Sequence, residues 1–296
     1  MQEQEIYEKA GKIAVEVMEE GLKKIIPGAK LLNVANFVEE LAKQKGAKPA
    51  FPCNISVNDI AAHYSPQAWD ESTFKKGDLV KLDIGVHVDG YIADMAKSVV
   101  VGGGISELIK AAEKALENVI EVIKPGVLTS ELGEVVENTI KDRGFLPISN
   151  LTGHMLKRWN LHGGVLIPNI KTRHGDVINE GDILAIEPFA TDGCGRVVDD
   201  ANAIIFRYLC DRPLRMKEAR DILRHVKTNY GSLPFAERWI SNLMPRFKLN
   251  HALRQLAYSR AIYAYHILRE KERGLVAQAE HTVIVTKDGC KVTTRV

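Results

Sequence analysis

The sequence predicts an α+β protein in which two similar α/β halves, related by a pseudo-twofold axis, surround a curved antiparallel sheet. Three observations support this class: a strand hairpin early in the chain, an internal repeat, and a helical stretch inside the second half. We assign residues 1–210 and 274–296 to the main domain. Residues 211–273 are assigned to a helical, winged-helix-like insertion.

The clearest strand signal is KGDLVKLDIGVHVDGYIAD, residues 76–94, in which apolar residues alternate with polar or small ones. Its two-residue turn, Asp89 and Gly90, is a favoured hairpin connection. This turn would place three pairs opposite one another: Val88 and Tyr91, Gly85 and Asp94, Asp83 and Ala96. Asp83 and Asp94 are then diagonal neighbours on one face, with Cβ atoms about 7 Å apart.

Much of this first half recurs later in the chain. A shift of 98 residues superposes the end of KKIIPG on the end of EVIKPG. An amphipathic helix is expected after each of these segments, at 32–42 and at 128–140. KGDLVKLD then matches EGDILAIE, so Glu187 corresponds to Asp83. IADMAKSVVV likewise matches QAEHTVIV, so Glu280 corresponds to Asp94. Because the matches keep the same order, they indicate one structural unit used twice.

The repeat doubles the carboxylate pair. If the halves pack about a pseudo-twofold axis, four acids approach one point: Asp83, Asp94, Glu187 and Glu280. Strand carboxylates are commonly solvated or paired with a basic side chain, and lysines near the first pair could serve in that way. Four acids on faces of small residues, however, would repel one another unless cations neutralised them. The pattern therefore favours a metal site.

Between the two carboxylates of the second half, the spacing of the apolar residues becomes that of helices. Basic and aromatic residues are interspersed from 211 to 273, and we expect helices along this stretch. Seven residues are expected to face its core: Leu223, Val226, Trp239, Leu243, Leu253, Leu256 and Ile262. Basic helices admit a nucleic-acid interpretation. Acids alternate with the basic residues, however, which favours a solvated face and no specific nucleic-acid partner.

Three of the nine histidines lie in settings that point to the same site. His154 and His162 are eight residues apart in LTGHMLKRWNLHGG, where glycines permit close backbone approach. His63 precedes a Ser-Pro turn in NDIAAHYSPQAWD. Imidazole beside carboxylates suits Mn, Fe, Co or Zn better than Ca or Mg, although this spacing does not by itself establish a ligand. For His63 and His162, acid–base or substrate-binding roles fit better than ligation.

Composition indicates an ordinary cytoplasmic protein. A net charge of +2 with 26% charged residues gives no reason to expect a nucleic acid as the principal partner. The opening MQEQEIYEKA is charged and helical in character, unlike a signal peptide, and no apolar run approaches the roughly 18 residues that span a bilayer. The four cysteines show no paired spacing, which fits reduced thiols. We therefore expect no membrane partner.

Taken together, these residues resemble a known family. The metal ligands of the pita-bread metalloaminopeptidases are matched, in order, by Asp83, Asp94, His154, Glu187 and Glu280. The segments AAHYSP, GHM, HGG, AIEPFAT and QAEHT, with the insertion before the last ligand, resemble the type 2 methionine aminopeptidases. The short region before the first ligand is similar to their archaeal form. The resemblance covers essentially the whole chain, and departs from the usual residue at three positions: Ser98, Gly163 and His266.

The resemblance implies a pita-bread fold and an enzyme that uses two divalent metal ions (Co, Mn, Fe or Zn). It would remove the N-terminal methionine of nascent proteins when the next residue is small. Asp83 would chelate one ion, while His154 and Glu187 would hold the other. Asp94 and Glu280 would bridge both ions.

The same resemblance assigns roles around the metals. Glu187 would carry the proton from the attacking water, and His63 and His162 would contact the substrate and stabilise the intermediate or the leaving nitrogen. The methionine pocket would be formed by Phe51, Leu161, Tyr265 and Leu268, although Phe51 and Leu161 could equally be plain core residues. The implied partners are N-terminal Met peptides and nascent chains, with the ribosome as a candidate contact, and the expected state is a monomer.

Two other interpretations remain open from sequence. A prolidase or aminopeptidase P would share the ligand set, but those relatives carry a large amino-terminal domain, whereas 82 residues precede Asp83 here. A catalytically inactive homologue that binds RNA or a protein is the second alternative. Such proteins typically lose ligands, and all five are present in this chain.

Overall fold

The computed structural model describes residues 3–295, which combine helices with antiparallel sheets and confirm the predicted α+β class. Six α-helices occur in this range: α1 (Glu3–Leu22), α2 (Leu31–Gln44), α3 (Glu107–Val122), α4 (Thr129–Lys141), α5 (Lys217–Asn229) and α6 (Arg246–Tyr258). The first eight strands are β1 (Lys48–Pro49), β2 (Asn54–Val57), β3 (Ile60–Ala62), β4 (Leu79–Val88), β5 (Tyr91–Val100), β6 (Leu146–Pro147), β7 (Thr152–Met155) and β8 (Leu166–Pro168). The remaining strands are β9 (Ile183–Ile186), β10 (Phe189–Thr191), β11 (Val197–Tyr208), β12 (Phe235–Ala236), β13 (Ile262–Glu270), β14 (Val276–Gln278), β15 (His281–Thr286) and β16 (Gly289–Val292).

The first half packs α1 and α2 against the hairpin β4–β5. The three residue pairs predicted across this hairpin are all found, so its register is confirmed. α1 approaches closely through small residues; a Cβ at Gly21 would lie 2.8 Å from Val38 and 3.0 Å from Leu82. α2 is the amphipathic helix predicted at 32–42, and its apolar face joins the same buried cluster. The hairpin is therefore held rigidly from behind.

The second half repeats this arrangement with α3 and α4. α4 is the amphipathic helix predicted at 128–140. The Pro-Gly glycines that precede the second helix of each half, Gly28 and Gly126, have φ values of 83° and 91°, a region that favours glycine. α3 packs on β10, β14 and β16, and α4 packs on β6 and β8. The buried residues of both helices join those of β9 and β15 in one hydrophobic cluster. The internal repeat therefore has a structural counterpart in each half.

The insertion is only partly helical, which corrects the expectation for 211–273. α5, a 3₁₀-helix (Glu237–Ile240) and α6 lie in this stretch, but its last part is the strand β13. The helix stops at Tyr258 because Arg260 takes a left-handed φ of 55°, and the aromatic and β-branched IYAYHI then pairs with β11. Six of the seven predicted core residues pack in the insertion's own cluster, whereas Leu243 is 42% exposed. The division at 210/211 and 273/274 stays a prediction.

The two halves meet where β5 faces β14 and β15. The amide of Glu280 donates to the carbonyl of Ala96 (3.0 Å). The Ser98 hydroxyl donates to the carbonyl of Gln278 (2.6 Å) and accepts from its amide (2.9 Å). These bonds join the returning strands of both repeats, so the carboxylates that these strands carry come to the centre of the molecule. Among residues 3–295, no helix is both long enough and apolar enough to cross a membrane.

Candidate active site

Five side chains converge where the two halves meet. Asp94, His154 and Glu280 each place one ligand atom within 4.8 Å of the other two. His154 Nε2 lies 3.8 Å from Asp94 Oδ2 and 3.5 Å from Glu187 Oε1. Asp83 lines the same cavity. The structure therefore brings together all five residues predicted as metal ligands.

Strand register explains this convergence. Asp83 and Asp94 lie in the middle of β4 and β5, and Glu187 and Glu280 lie at the junctions between β9 and β10 and between β14 and β15. His154 reaches them from β7, where it is paired with Ala185 of β9. Small residues between the ligands let the side chains approach the cavity. Three of the predicted ligands thus lie within strands, and Glu187 and Glu280 lie at short connections that strands hold on both sides.

The electrostatics of the site are those of uncompensated buried acids. Burial raises the pKa of Asp83 to about 7. Burial, and secondly the neighbouring carboxylates, raise the pKa values of Asp94, Glu187 and Glu280 well above their ordinary range. Burial also lowers the pKa of His154 to about 3, with the nearby His162 as the next cause. An acid cluster around a neutral imidazole is stable when cations supply the missing charge.

The donor set fits divalent metal. Asp83 Oδ1 and Asp94 Oδ1 are buried with no hydrogen-bond partner, which is costly for a carboxylate unless an ion accepts those lone pairs. Four carboxylates and one imidazole are oxygen and nitrogen ligands of the kind that Mn, Fe, Co and Zn accept.

Gln278 is a contact that the sequence interpretation missed. Its Nε2 lies 3.4 Å from both Glu187 Oε2 and Glu280 Oε2. The amide can therefore orient two carboxylates from one position. Its place two residues before Glu280, on the same strand face, is a signal that could have identified it.

A cavity of about 220 Å³ opens beside the carboxylates. Five of the residues that the resemblance assigns to the substrate line this cavity: His63, His162, Phe51, Leu161 and Tyr265. Leu268 does not; it packs instead with Phe189 and Ile148 in a separate hydrophobic cluster. Sequence reasoning missed further lining residues, which come from elements far apart in the chain: Asn54, Ala62, Asn150, Leu151, Thr152, Phe189, Ile205 and Pro234.

The two histidines outside the ligand set are neutral and oriented. Burial lowers the pKa of His63, and burial followed by the charge of Arg207 lowers that of His162 to about 4. His63 Nδ1 lies 3.0 Å from the carbonyl oxygen of His266. A carbonyl can only accept, so Nδ1 carries the proton and Nε2 is left as an acceptor. Tyr265 contacts both rings, with centroids 5.4 Å from His63 and 6.2 Å from His162.

The departures from the usual family residues are accommodated locally. His266 binds His63 through its backbone carbonyl, which any residue provides. A Cβ at Gly163 would lie 2.9 Å from the carbonyl oxygen of Met155, so alanine here would require that backbone to shift. Ser98 uses only its hydroxyl, which threonine shares.

Comparison with known proteins agrees with this geometry. The model of metallopeptidase family M24 matches residues 5–287. The chain is 52% identical to a methionine aminopeptidase of Thermococcus onnurineus over 295 residues, which cover 99% of this chain and 100% of the relative. A methionine aminopeptidase of Thermococcus kodakarensis is also 52% identical, with the same coverage.

The fold agrees as well. A crystal structure of methionine aminopeptidase from Thermotoga maritima superposes with a TM-score of 0.71 at 25% identity, covering 99% of this chain and 96% of that one. The predicted pita-bread fold is therefore confirmed. The chain belongs to metallopeptidase family M24 and, within it, to the methionine aminopeptidases of the archaeal type 2 form.

Proposed function

We propose that this aminopeptidase works with two divalent ions and removes N-terminal methionine from new polypeptides whose second residue is small. The observation that supports two ions is the number of ligands. Four carboxylates and one imidazole at a single point exceed what one four-coordinate ion requires, and two of them, Asp94 and Glu280, come from equivalent strands of the repeat.

In this proposal Asp83 would hold one ion, His154 and Glu187 would hold the other, and Asp94 and Glu280 would serve both. The chemistry supplied by such ions would be Lewis acidity at the scissile carbonyl and a lower pKa of the attacking water. Co, Mn, Fe and Zn are all compatible with the donor set.

The remaining steps belong to side chains of this chain. Glu187, whose side chain lines the cavity, takes the proton of the attacking water and passes it to the leaving nitrogen. Neutral His63 offers Nε2 as an acceptor for a substrate N–H, and His162 lies beside His154 with ring centroids 4.6 Å apart. Both histidines can therefore contact the reacting peptide unit, and His63 does so by accepting from its N–H, which supports the leaving nitrogen.

Substrate selection follows from the cavity. Phe51, Leu161 and Tyr265 give it an apolar wall suited to a methionine side chain. A cavity of about 220 Å³ that holds methionine leaves little room near the histidines for a large second residue. Leu268 would act only indirectly, through the cluster that it shares with the lining residue Phe189.

Peptide hydrolysis tests this function. Protein loaded with Mn or Co is given Met-Gly, Met-Leu and Xaa-Pro peptides of equal length, and free amino acid is measured. We expect kcat/KM for Met-Gly to exceed that for Met-Leu by at least about 10-fold, with no cleavage of Xaa-Pro. Comparable values for Met-Gly and Met-Leu would show that the second residue is not selected. Metal analysis of protein purified without added metal should give up to two ions per chain.

The cellular setting of this protein is inferred from its substrate class and its cysteines. A cytoplasmic monomer that acts on nascent chains, with the ribosome as a candidate contact, fits the substrate class and the four free cysteines. The basic residues of α5 are partly paired, as in Lys227 with Asp211 and Arg224 with Asp221, which fits a solvated face rather than a specific nucleic-acid site.

A further inference from the structure

The paired strands β11 and β13 have two faces with different surroundings. Phe206 and Ile262, on one face, pack in the core of the insertion. On the other face Ile205 is opposite Tyr265, and both line the cavity. One pleat farther along, on this same face, Arg207 is opposite Tyr263. The active-site wall therefore continues beyond the cavity as a short Arg–Tyr surface.

Exposure increases along this surface. Ile205 is 4% exposed, Arg207 is half-buried, and Tyr263 is 50% exposed. The rings of Tyr263 and Tyr265 are in edge contact, with centroids 4.8 Å apart, so the surface is continuous. A polypeptide whose first residue lies in the cavity would pass over this Arg–Tyr surface on the way to solvent. The step from Ile205 to Arg207 covers two strand residues, about 6.6 Å, which is also the length of about two residues of an extended substrate.

The guanidinium of Arg207 is not paired with a carboxylate among residues 3–295; Asp59 and Asp200 pair with Arg269 instead. Its Nε is buried without a hydrogen-bond partner. Its guanidinium acts on the cavity wall, because its side chain contacts the Tyr265 hydroxyl and its charge partly offsets the rise in the pKa of Tyr265 that burial causes. A guanidinium has five N–H donors, so this half-buried arginine, which no carboxylate pairs, retains donors for a group that crosses the mouth of the site.

We propose that Arg207, with Tyr263 beside it, forms a subsite for an acidic side chain at the third or fourth residue of the polypeptide substrate. This inference rests on the proposed function, since it needs a methionine-initiated chain in the cavity. Aspartate or glutamate there accepts from the guanidinium, and the Tyr263 ring packs against the substrate backbone. The class of preferred substrate is thus a chain with a small second residue followed by an acid.

Matched peptides test this subsite. Met-Gly-Asp-Gly-Trp is compared with Met-Gly-Asn-Gly-Trp, and Met-Gly-Gly-Asp-Trp with Met-Gly-Gly-Asn-Trp, so each pair differs by one charge at constant shape. We expect the Asp/Asn ratio of kcat/KM to be about 3–10 at one of these positions, as for a partly exposed charge-assisted hydrogen bond. In Arg207→Met the ratio should fall to one, and in Arg207→Lys part of it should remain. Higher salt should also reduce it.

Arg254→Met is the control, because Arg254 is an exposed arginine on α6 and its loss removes the same charge. A ratio of one in the unmodified protein at both positions overturns the subsite. A ratio that persists in Arg207→Met also overturns the subsite. So does a ratio that Arg254→Met abolishes equally, because the preference would then depend only on the general positive charge of the protein. If no methionine peptide is cleaved at all, the proposed function itself is wrong, and this outcome is distinct from the others.

Discussion

The two halves of the repeat carry their carboxylates in different ways. In the first half Asp83 is opposite Ala96 and Asp94 is opposite Gly85, so the acids are diagonal, with Cβ atoms about 7 Å apart. In the second half Ile186 is opposite His281 and Phe189 is opposite Gln278. The same register places Glu187 opposite Glu280, at about 5 Å. The repeat therefore keeps the acids but changes their offset by one pleat.

The offset matches the side-chain types. The first half uses aspartate in an uninterrupted hairpin closed by a two-residue turn, whereas the second uses glutamate beside Pro188, where β9 ends and β10 begins. Longer glutamate side chains can reach a common point from positions that are not symmetric with those of the aspartates. The site therefore requires the carboxylate oxygens of the two halves to be arranged symmetrically, but not their backbones.

The largest effect is expected from the metal ligands, because the comparison predicts unequal roles within each half. In the proposed arrangement Glu280→Gln removes charge that two ions would share, so both affinities should fall by more than about 100-fold. Asp83→Asn would remove a ligand of one proposed ion, so up to one tight site should remain, with depressed activity. Calorimetric titration of Mn or Co into each variant measures this difference. If Asp83→Asn loses both ions while Glu280→Gln keeps two tight sites, the assignment from the repeat has to be abandoned.

The second-largest effect on activity is expected from substitution of His63, a histidine of the first half. His63→Ala should lower kcat by about 10²–10⁴, the usual range for a positioned acid–base group, while metal content is retained. His63 contacts Tyr265 and the carbonyl of His266, not the carboxylates, and this position motivates the expectation. His251→Ala, at an exposed position on α6, is the matched control. Loss of bound metal in His63→Ala would show that His63 is a ligand.

A third prediction concerns the position two residues after the first acid of each half. It is Gly85 in the first half and Phe189 in the second. A Cβ at Gly85 would lie 2.1 Å from the Phe51 ring, so this ring occupies the space beside the glycine. In the first half the aromatic side chain at the cavity is therefore Phe51, from another segment, whereas in the second half it is Phe189, on the strand itself. Gly85→Ala should therefore displace Phe51, destabilise the fold by about 3 kcal/mol and raise KM for Met-Gly peptides.

The second substitution Phe51→Leu supplies the control for this prediction. A smaller, flexible side chain relieves the overlap, so Gly85→Ala should cost less in that background, as measured by urea unfolding. Additive effects of the two substitutions would mean that the ring does not depend on the glycine.

Local patterns account for what the sequence could predict. The hairpin at 76–94 was readable because a buried face has period 2 and an Asp-Gly turn fixes the register. The four acids followed from the repeat. β13 could not be predicted as a strand, because apolar and polar residues do not alternate in IYAYHILRE. This strand pairs on both edges, with β11 and β3. Gln278, Ile205 and Arg207 could not be placed, since only tertiary pairing brings them near the site.

The smallest predicted effect concerns the contact between the two halves. The Thr282 hydroxyl of the second half accepts from the amide of Asp94 and donates to its carbonyl, both at 2.8 Å. Thr282→Val keeps the shape but leaves two buried backbone groups of Asp94 unpaired, which should cost about 1–2 kcal/mol of unfolding free energy. Thr286→Val, on the same strand but exposed, should change stability by less than about 0.5 kcal/mol. Because Asp94 is proposed to contact both ions, Thr282→Val should also weaken Mn binding, whereas Thr286→Val should not. Equal stability and equal Mn affinity in the two variants would show that the hydroxyl does not couple the halves, and that the backbone bond from Glu280 to Ala96 is sufficient to align them.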